Sequence, residues 1–343
     1  MSHIETAVRP EVRHVYQNHH LDTRRWDGFK PRPDDIIIST SYKAGTTLTQ
    51  TIIINLLYPN GPPAPVGALS PWVDFRIAPL EEVTAGLEAT TDRRCIKTHL
   101  PLDGLPFFEE AQYVMVGRDP RDVFMSLLNH YGNHTPQFFE ILNSLPGRVG
   151  DPFPPFDGDV HKLWHDWISR GWFAWESDGW PYWSHLHHAK TWWEFRHLPN
   201  IRLIHYNDLR ADLEGQMRAL ADWLNIEVPE ARWPAVVHAC QFETVKADPE
   251  KVLGDRIGQF WKGGGQTFIN KGTNGRWKDV LTADELAQYD AAMKKTLPAF
   301  PWACSYRATG TASKSAGMAS APNSASFRLN FPTLLLISCS TWR

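Results

Sequence analysis

Three short stretches of the chain set cations, hydroxyls and an imidazole close together. The first is Thr40-Ser41-Tyr42-Lys43-Ala44-Gly45-Thr46-Thr47-Leu48, directly after an apolar run and before a helical pattern. Such a junction is an anion site by construction. The first N–H groups of a helix have no partner within it, the helix dipole adds positive potential, and glycine lets a ligand approach the main chain. Thr46 and Thr47 add hydroxyl donors and Lys43 adds charge. An ATP-binding loop would read G-x-x-x-x-G-K and then Ser or Thr, with lysine directly after the last glycine. Here Lys43 precedes Gly45, which argues against an ordinary ATPase or kinase. The second stretch, Ile96-Lys97-Thr98-His99-Leu100-Pro101, flanks one threonine with a lysine and a histidine. The third runs Gly117-Arg118-Asp119-Pro120-Arg121-Asp122, with Ser126 further into the following helix. Cations and hydroxyl donors in this setting suit an anionic ligand, held at the edge where doubly wound sheets bind nucleotides.

Singly, each residue has a plainer reading: a solvated lysine, a packed histidine, a capped helix with local ion pairs. Their recurrence at successive strand ends is what favours a site, and the elements around them support that placement. Ile36-Ile37-Ile38 reads as a buried strand, followed by a helix from Gly45 to about Leu57. Further strands are expected at Arg94–Lys97, Tyr113–Val116 and Ile201–His205, and a helix from about Leu209 to Leu224. Asp119 can cap the helix that starts at Pro120, with Asp122 placed as a capping-box acid. Strands alternating with helices predict an α/β fold: one domain with a P-loop-like central parallel sheet and helices on both faces. Residues 1–33 read as a lead-in, 34–303 as the domain, and 304–343 as an Ala/Ser/Thr-rich tail expected to be disordered.

Composition narrows the function. A net charge of −3 does not suit a general nucleic-acid binder. Cys95, Cys240, Cys304 and Cys339 show neither zinc-site spacing nor a disulfide framework, so a reducing, cytoplasmic setting is expected. The N-terminus lacks a signal-peptide core, and no apolar segment is long enough to span a bilayer. The pairs His19-His20 and His187-His188 read as surface histidines rather than metal ligands, and no metal site is expected. Eight tryptophans between residues 161 and 193 read mainly as core, with a share available to line an apolar acceptor pocket or touch a membrane surface.

Taken in order, Lys43-Ala44-Gly45-Thr46-Thr47, Lys97-Thr98-His99-Leu100-Pro101, Arg118…Asp122…Ser126 and Lys271-Gly272-Thr273-Asn274-Gly275-Arg276-Trp277 resemble the soluble, cytosolic-type sulfotransferase family. That family shows T-Y-P-K-S-G-T-T-W, K-T-H-L-P, R-x-x-x-D…S and K-G-x-x-G-x-W. Ser70-Pro71-Trp72 and His197-Leu198-Pro199-Asn200 are similar to bacterial glycolipid-type members. The resemblance implies a co-substrate, PAPS (3′-phosphoadenosine 5′-phosphosulfate), no metal, and an alcohol, phenol or glycolipid as acceptor. It implies that Lys43, Thr46 and Thr47 hold the 5′-phosphosulfate end, and that Ala44, Gly45 and Leu48 of the same loop are donor-binding as well. Arg118, Ser126 and the 271–275 loop, led by Asn270, Lys271 and Gly272, would hold the 3′-phosphate. Tyr206 would lie beside adenine, His99 would be the base, and Lys97 would support the sulfuryl group.

There are departures. Leu48 replaces the tryptophan that stacks on adenine, Asn270 replaces an arginine, and Cys240-Gln241-Phe242 replaces Thr-Ser-Phe. The family's dimer motif survives only as Lys278…Thr282-Ala283…Ala287, leaving dimerisation by that route unsupported. Two competing readings remain at this point: an ATP- and magnesium-dependent kinase or hydrolase, and a homologue that binds nucleotide or lipid without turnover.

Overall fold

The computed structural model of the chain describes residues 8–297. The 304–343 tail, with Cys304 and Cys339, lies outside the described residues. Four strands form one sheet: β1 (Ile36–Thr40), β2 (Cys95–Thr98), β3 (Gln112–Gly117) and β4 (Ile201–His205). All pairings are parallel, in the order β2-β1-β3-β4. Side chains alternate across a strand, and here both faces are covered. Ile37, Ile96, Tyr113 and Met115 enter one hydrophobic cluster, with the helices Pro120–Gly132, Val160–Ser169 and His185–Glu194. Ile36, Ile38, Val114 and Val116 enter the other, with α1 (Thr46–Leu57) and the helices Leu213–Leu224 and Trp233–Cys240.

Register decides what leaves the sheet together. Ser39 stands level with Thr98 and Met115, Thr40 with Val116, and Gly117 with His205. The residues after each strand, Ser41, His99, Arg118 and Tyr206, therefore emerge at one edge. That is the edge where open parallel sheets bind ligands.

Several expectations shift. β2 lies one residue later than expected, because Arg94 turns to a buried salt bridge with Asp35 at 2.5 Å. The expected Leu209–Leu224 helix is two helices, Tyr206–Ala211 and Leu213–Leu224. They break at Asp212, whose side chain caps the second by accepting from the Gly215 N–H at 2.9 Å. Asp119 caps the Pro120–Gly132 helix as expected, but Asp122 instead accepts from the Gly275 N–H at 2.6 Å. Thr282 caps its own helix in a capping box with Glu285.

The tryptophan-rich segment is mostly core: Trp164, Trp167, Trp183 and Trp192 are buried, and the Trp167 indole donates to the Tyr42 hydroxyl at 2.5 Å. The lead-in is built into the same cluster through Tyr16, Leu21 and Trp26.

The histidine pairs are not at the surface. His19, His20 and His188 are buried and His187 is half-buried, its Nε2 2.8 Å from Asp103. Imidazoles can be buried neutral when each ring nitrogen finds a fitting partner. His19 Nε2 lies 3.0 Å from the Pro181 carbonyl, which only accepts, so that nitrogen donates. Its Nδ1 then accepts from His20 Nδ1. On the His185–Glu194 helix, His185 donates from Nε2 to the Arg118 carbonyl at 3.1 Å and accepts at Nδ1 from Ser41. His188 bonds Ser39 at 2.9 Å. This helix thus ties down the ends of β1 and β3, the strands that deliver Lys43 and Arg118.

Candidate active site at the sheet edge

The strand ends open into one cavity of about 730 Å³. Lys43, Gly45, Thr46, Thr47, Leu48, Lys97, His99, Arg118, Ser126, Tyr206, Asn270, Lys271 and Gly272 all line it. Ala44 does not; it is buried, and its N–H donates to the Ser41 carbonyl at 3.3 Å. Among the described residues that line the cavity, Lys43, Lys97, Arg118, Arg210, Lys271 and Arg276 face a single carboxylate, Glu243. The void is therefore built for an anion, although the whole chain is acidic.

The first loop is held in a special backbone shape. Lys43 has φ 61° and Gly45 φ 126°, and a Cβ on Gly45 would lie 2.8 Å from the Tyr206 ring. Glycine is required there for both reasons. Thr40 and Thr46 join hydroxyls at 2.5 Å across the turn, so Thr46 and Thr47 start α1 with their N–H groups beside the cavity.

His99 has a defined tautomer. Its Nδ1 lies 2.7 Å from the Thr40 carbonyl, so Nδ1 carries the proton and Nε2 keeps its lone pair. Burial, then the charge of Lys97, pushes its pKa well below the usual histidine value. A neutral imidazole with a free lone pair can act as a base at neutral pH.

The lysines rest on aromatic rings. Lys43 Nζ lies 4.5 Å from the Phe268 ring centre and Lys97 Nζ 4.3 Å from that of Trp72. Lys43 also donates to His130 Nδ1 at 3.3 Å. Burial, then Arg118 and Lys97, holds the Lys43 pKa down to about 7, and burial holds Lys97 at about 8. Arg118 lies over the Tyr206 ring at 4.3 Å and donates to the Lys43 carbonyl at 3.1 Å and to Asn274 Oδ1 at 2.7 Å. With the Asp122–Gly275 bond, this pins the 271–275 loop against the end of β3.

Sequence reasoning did not name His20, His130, Tyr182, Trp261, Phe268 or Arg276 as site residues, yet all six line the cavity. His130 carried a signal: it stands four residues after Ser126, on the same helix face. Trp261 and Phe268 carried none, since their approach depends on tertiary packing. Trp72, Phe75, Phe138, Trp183, Trp261 and Phe268 also line the void, Trp72 and Phe268 as the rings beneath Lys97 and Lys43. Among the described residues, no cluster of three or more His, Cys, Asp or Glu side chains could hold a metal ion. No helix among them is long and apolar enough to cross a membrane.

A basic loop between the first strand and its helix, with a neutral imidazole and further cations at the neighbouring strand ends, fits a group transferase that takes an anionic donor. The family follows from comparison. The sulfotransferase domain model matches residues 33–301. A glycolipid sulfotransferase of Mycobacterium bovis is 33% identical over 300 residues, covering 83% of this chain and 91% of the relative. Sulfotransferase 1A1 of Rattus norvegicus is 26% identical, covering 78% and 86%. The fold matches a mouse sulfotransferase complexed with PAP, with a TM-score of 0.62, 18% identity and coverage of 86% and 98%. It also matches retinol dehydratase complexed with retinol and PAP, with a TM-score of 0.60, 23% identity and coverage of 80% and 84%. The chain belongs to the sulfotransferase family.

Proposed function

We propose that this sulfotransferase moves the sulfuryl group of PAPS onto a hydroxyl of an aromatic, amphipathic or glycolipid acceptor. The observation that carries the reading is one cavity in which six cations face one carboxylate and His99 Nε2 keeps its lone pair. In this reading the α1 N–H groups, Thr46 and Thr47 hold the 5′-phosphosulfate end, and Arg118, Ser126 and the 271–275 loop hold the 3′-phosphate. Tyr206 lies beside the base. With Leu48 in place of an indole, Tyr206, packed on Gly45, and Phe242, packed on Gly272, are cavity-lining rings beside the two donor loops.

His99 Nε2 takes the acceptor's hydroxyl proton while the acceptor oxygen bonds sulfur. The bond from sulfur to the 5′-phosphate oxygen breaks in line. Lys43 meets the charge that develops on the departing oxygen, and Lys97 supports the transferring group. The aromatic side chains that line the cavity suit an acceptor with rings or chains. The name of the mycobacterial relative supports a glycolipid among the candidates.

Calorimetry with PAP, ATP–magnesium and NAD in parallel tests the reading, because a ligand selective for the folded state raises its stability. Selective PAP binding is expected. Preference for ATP–magnesium, or no PAP binding, would overturn it.

A further inference from the structure

Two guanidiniums, those of Arg118 and Arg276, line the same cavity. Arg118 commits Nη1 and Nη2 to Lys43 and Asn274, and its Nε is buried with no partner. Arg276 opens the short helix Arg276–Asp279 and lines the same cavity, and its Nε is likewise buried with no partner. Burial lowers the Arg118 pKa and the nearby charge of Arg276 adds to it, so the two cations feel each other. Asp122 opposes this, but one of its oxygens is already taken by the Gly275 N–H. Among the described residues neither guanidinium forms a salt bridge. Two like charges with orphaned buried N–H groups are unfavourable until an anion enters between them. A guanidinium fork matches a phosphate oxygen pair.

We infer that Arg276 binds the donor's second phosphate, a phosphate monoester dianion seated between the guanidiniums of Arg118 and Arg276. The inference rests on the donor reading above. It also accounts for Asn270: the last loop lacks a guanidinium there but presents one later, at Arg276, on the same cavity. The 3′-phosphate site is displaced within its loop rather than lost.

Titration of the full chain with PAP, 5′-AMP and inorganic phosphate tests this. Arg276→Gln is expected to weaken PAP roughly tenfold or more while leaving 5′-AMP, which has no 3′-phosphate, within about twofold. Adding Asn270→Arg to Arg276→Gln should recover most of the loss, because a guanidinium again faces the site. Equal weakening of PAP and 5′-AMP, or PAP affinity unmoved by Arg276→Gln, overturns the inference. Inorganic phosphate that competes as well as PAP would overturn the nucleotide assignment of the site. If Arg276→Gln melts early without ligand, Arg276→Lys keeps charge and bulk but not the fork, and must still separate PAP from 5′-AMP. A wild-type chain that binds no PAP removes the donor reading itself, whereas PAP binding insensitive to Arg276 removes only this step.

Discussion

His99→Ala takes away the Nε2 lone pair but leaves Lys43, Lys97 and Arg118 in place. Turnover is expected to fall about 10²- to 10⁴-fold with PAP affinity nearly unchanged, measured by initial rates and calorimetry. Turnover close to wild type would assign the base elsewhere. Lys43 sets a pH dependence. Its free-protein pKa is pushed down to about 7, and the groups facing it are Arg118, Lys97, His99, His130 and His134. Burial depresses the pKa of all three histidines, which keeps them neutral. An arriving phosphate favours charged Lys43, so binding takes up a proton. PAP affinity should therefore decline as pH rises from about 7 towards about 9. His130→Phe removes the acceptor at Nδ1 and should move that decline to lower pH; an unmoved profile would make His130 a space-filler. At this scale the sequence was readable where type and spacing act locally, as in Lys43 to Thr47. It was unreadable for the buried histidines, because an imidazole's environment depends on partners such as Pro181 and Ser39 from distant segments.

The turn from β1 into α1 depends on Gly45, whose positive φ and contact with Tyr206 both exclude a side chain. Gly45→Ala should cost about 1–3 kcal/mol of stability and weaken PAP binding, read by thermal melting and titration. Full stability in that variant would mean that the turn relaxes freely. The strands were legible because β-branched runs such as Ile36–Ile38 have few other uses, and β4 matches its expected bounds. Asp212 and Asp122 were less so: each could cap a helix, and only tertiary contact decides which N–H the carboxylate takes. The last loop was visible as a motif, but the role of Arg276 depends on how Asp122 and Arg118 pin it.

Across the whole molecule, the lead-in is as much core as any strand. Tyr16, Leu21 and Trp26 are buried, and each such side chain stabilises by about 1.5–3 kcal/mol against a total near 5–15 kcal/mol. A chain that begins at Lys30 should lose its cooperative melting transition. A folded, PAP-binding truncation would show the segment to be dispensable. Its polar, proline-bearing composition hid this, since three large side chains leave little periodic signal in a stretch with one short 3-10 helix, Thr23–Trp26.

The cavity is undivided: the basic loop, His99 and the aromatic wall border the same void. In the proposed reading donor and acceptor occupy it together, and sulfur passes directly from one to the other. Steady-state rates measured at several fixed concentrations of each substrate should give intersecting reciprocal plots, the pattern of a ternary complex. Parallel lines would require a sulfated enzyme intermediate, and with it a nucleophile the cavity has not been assigned.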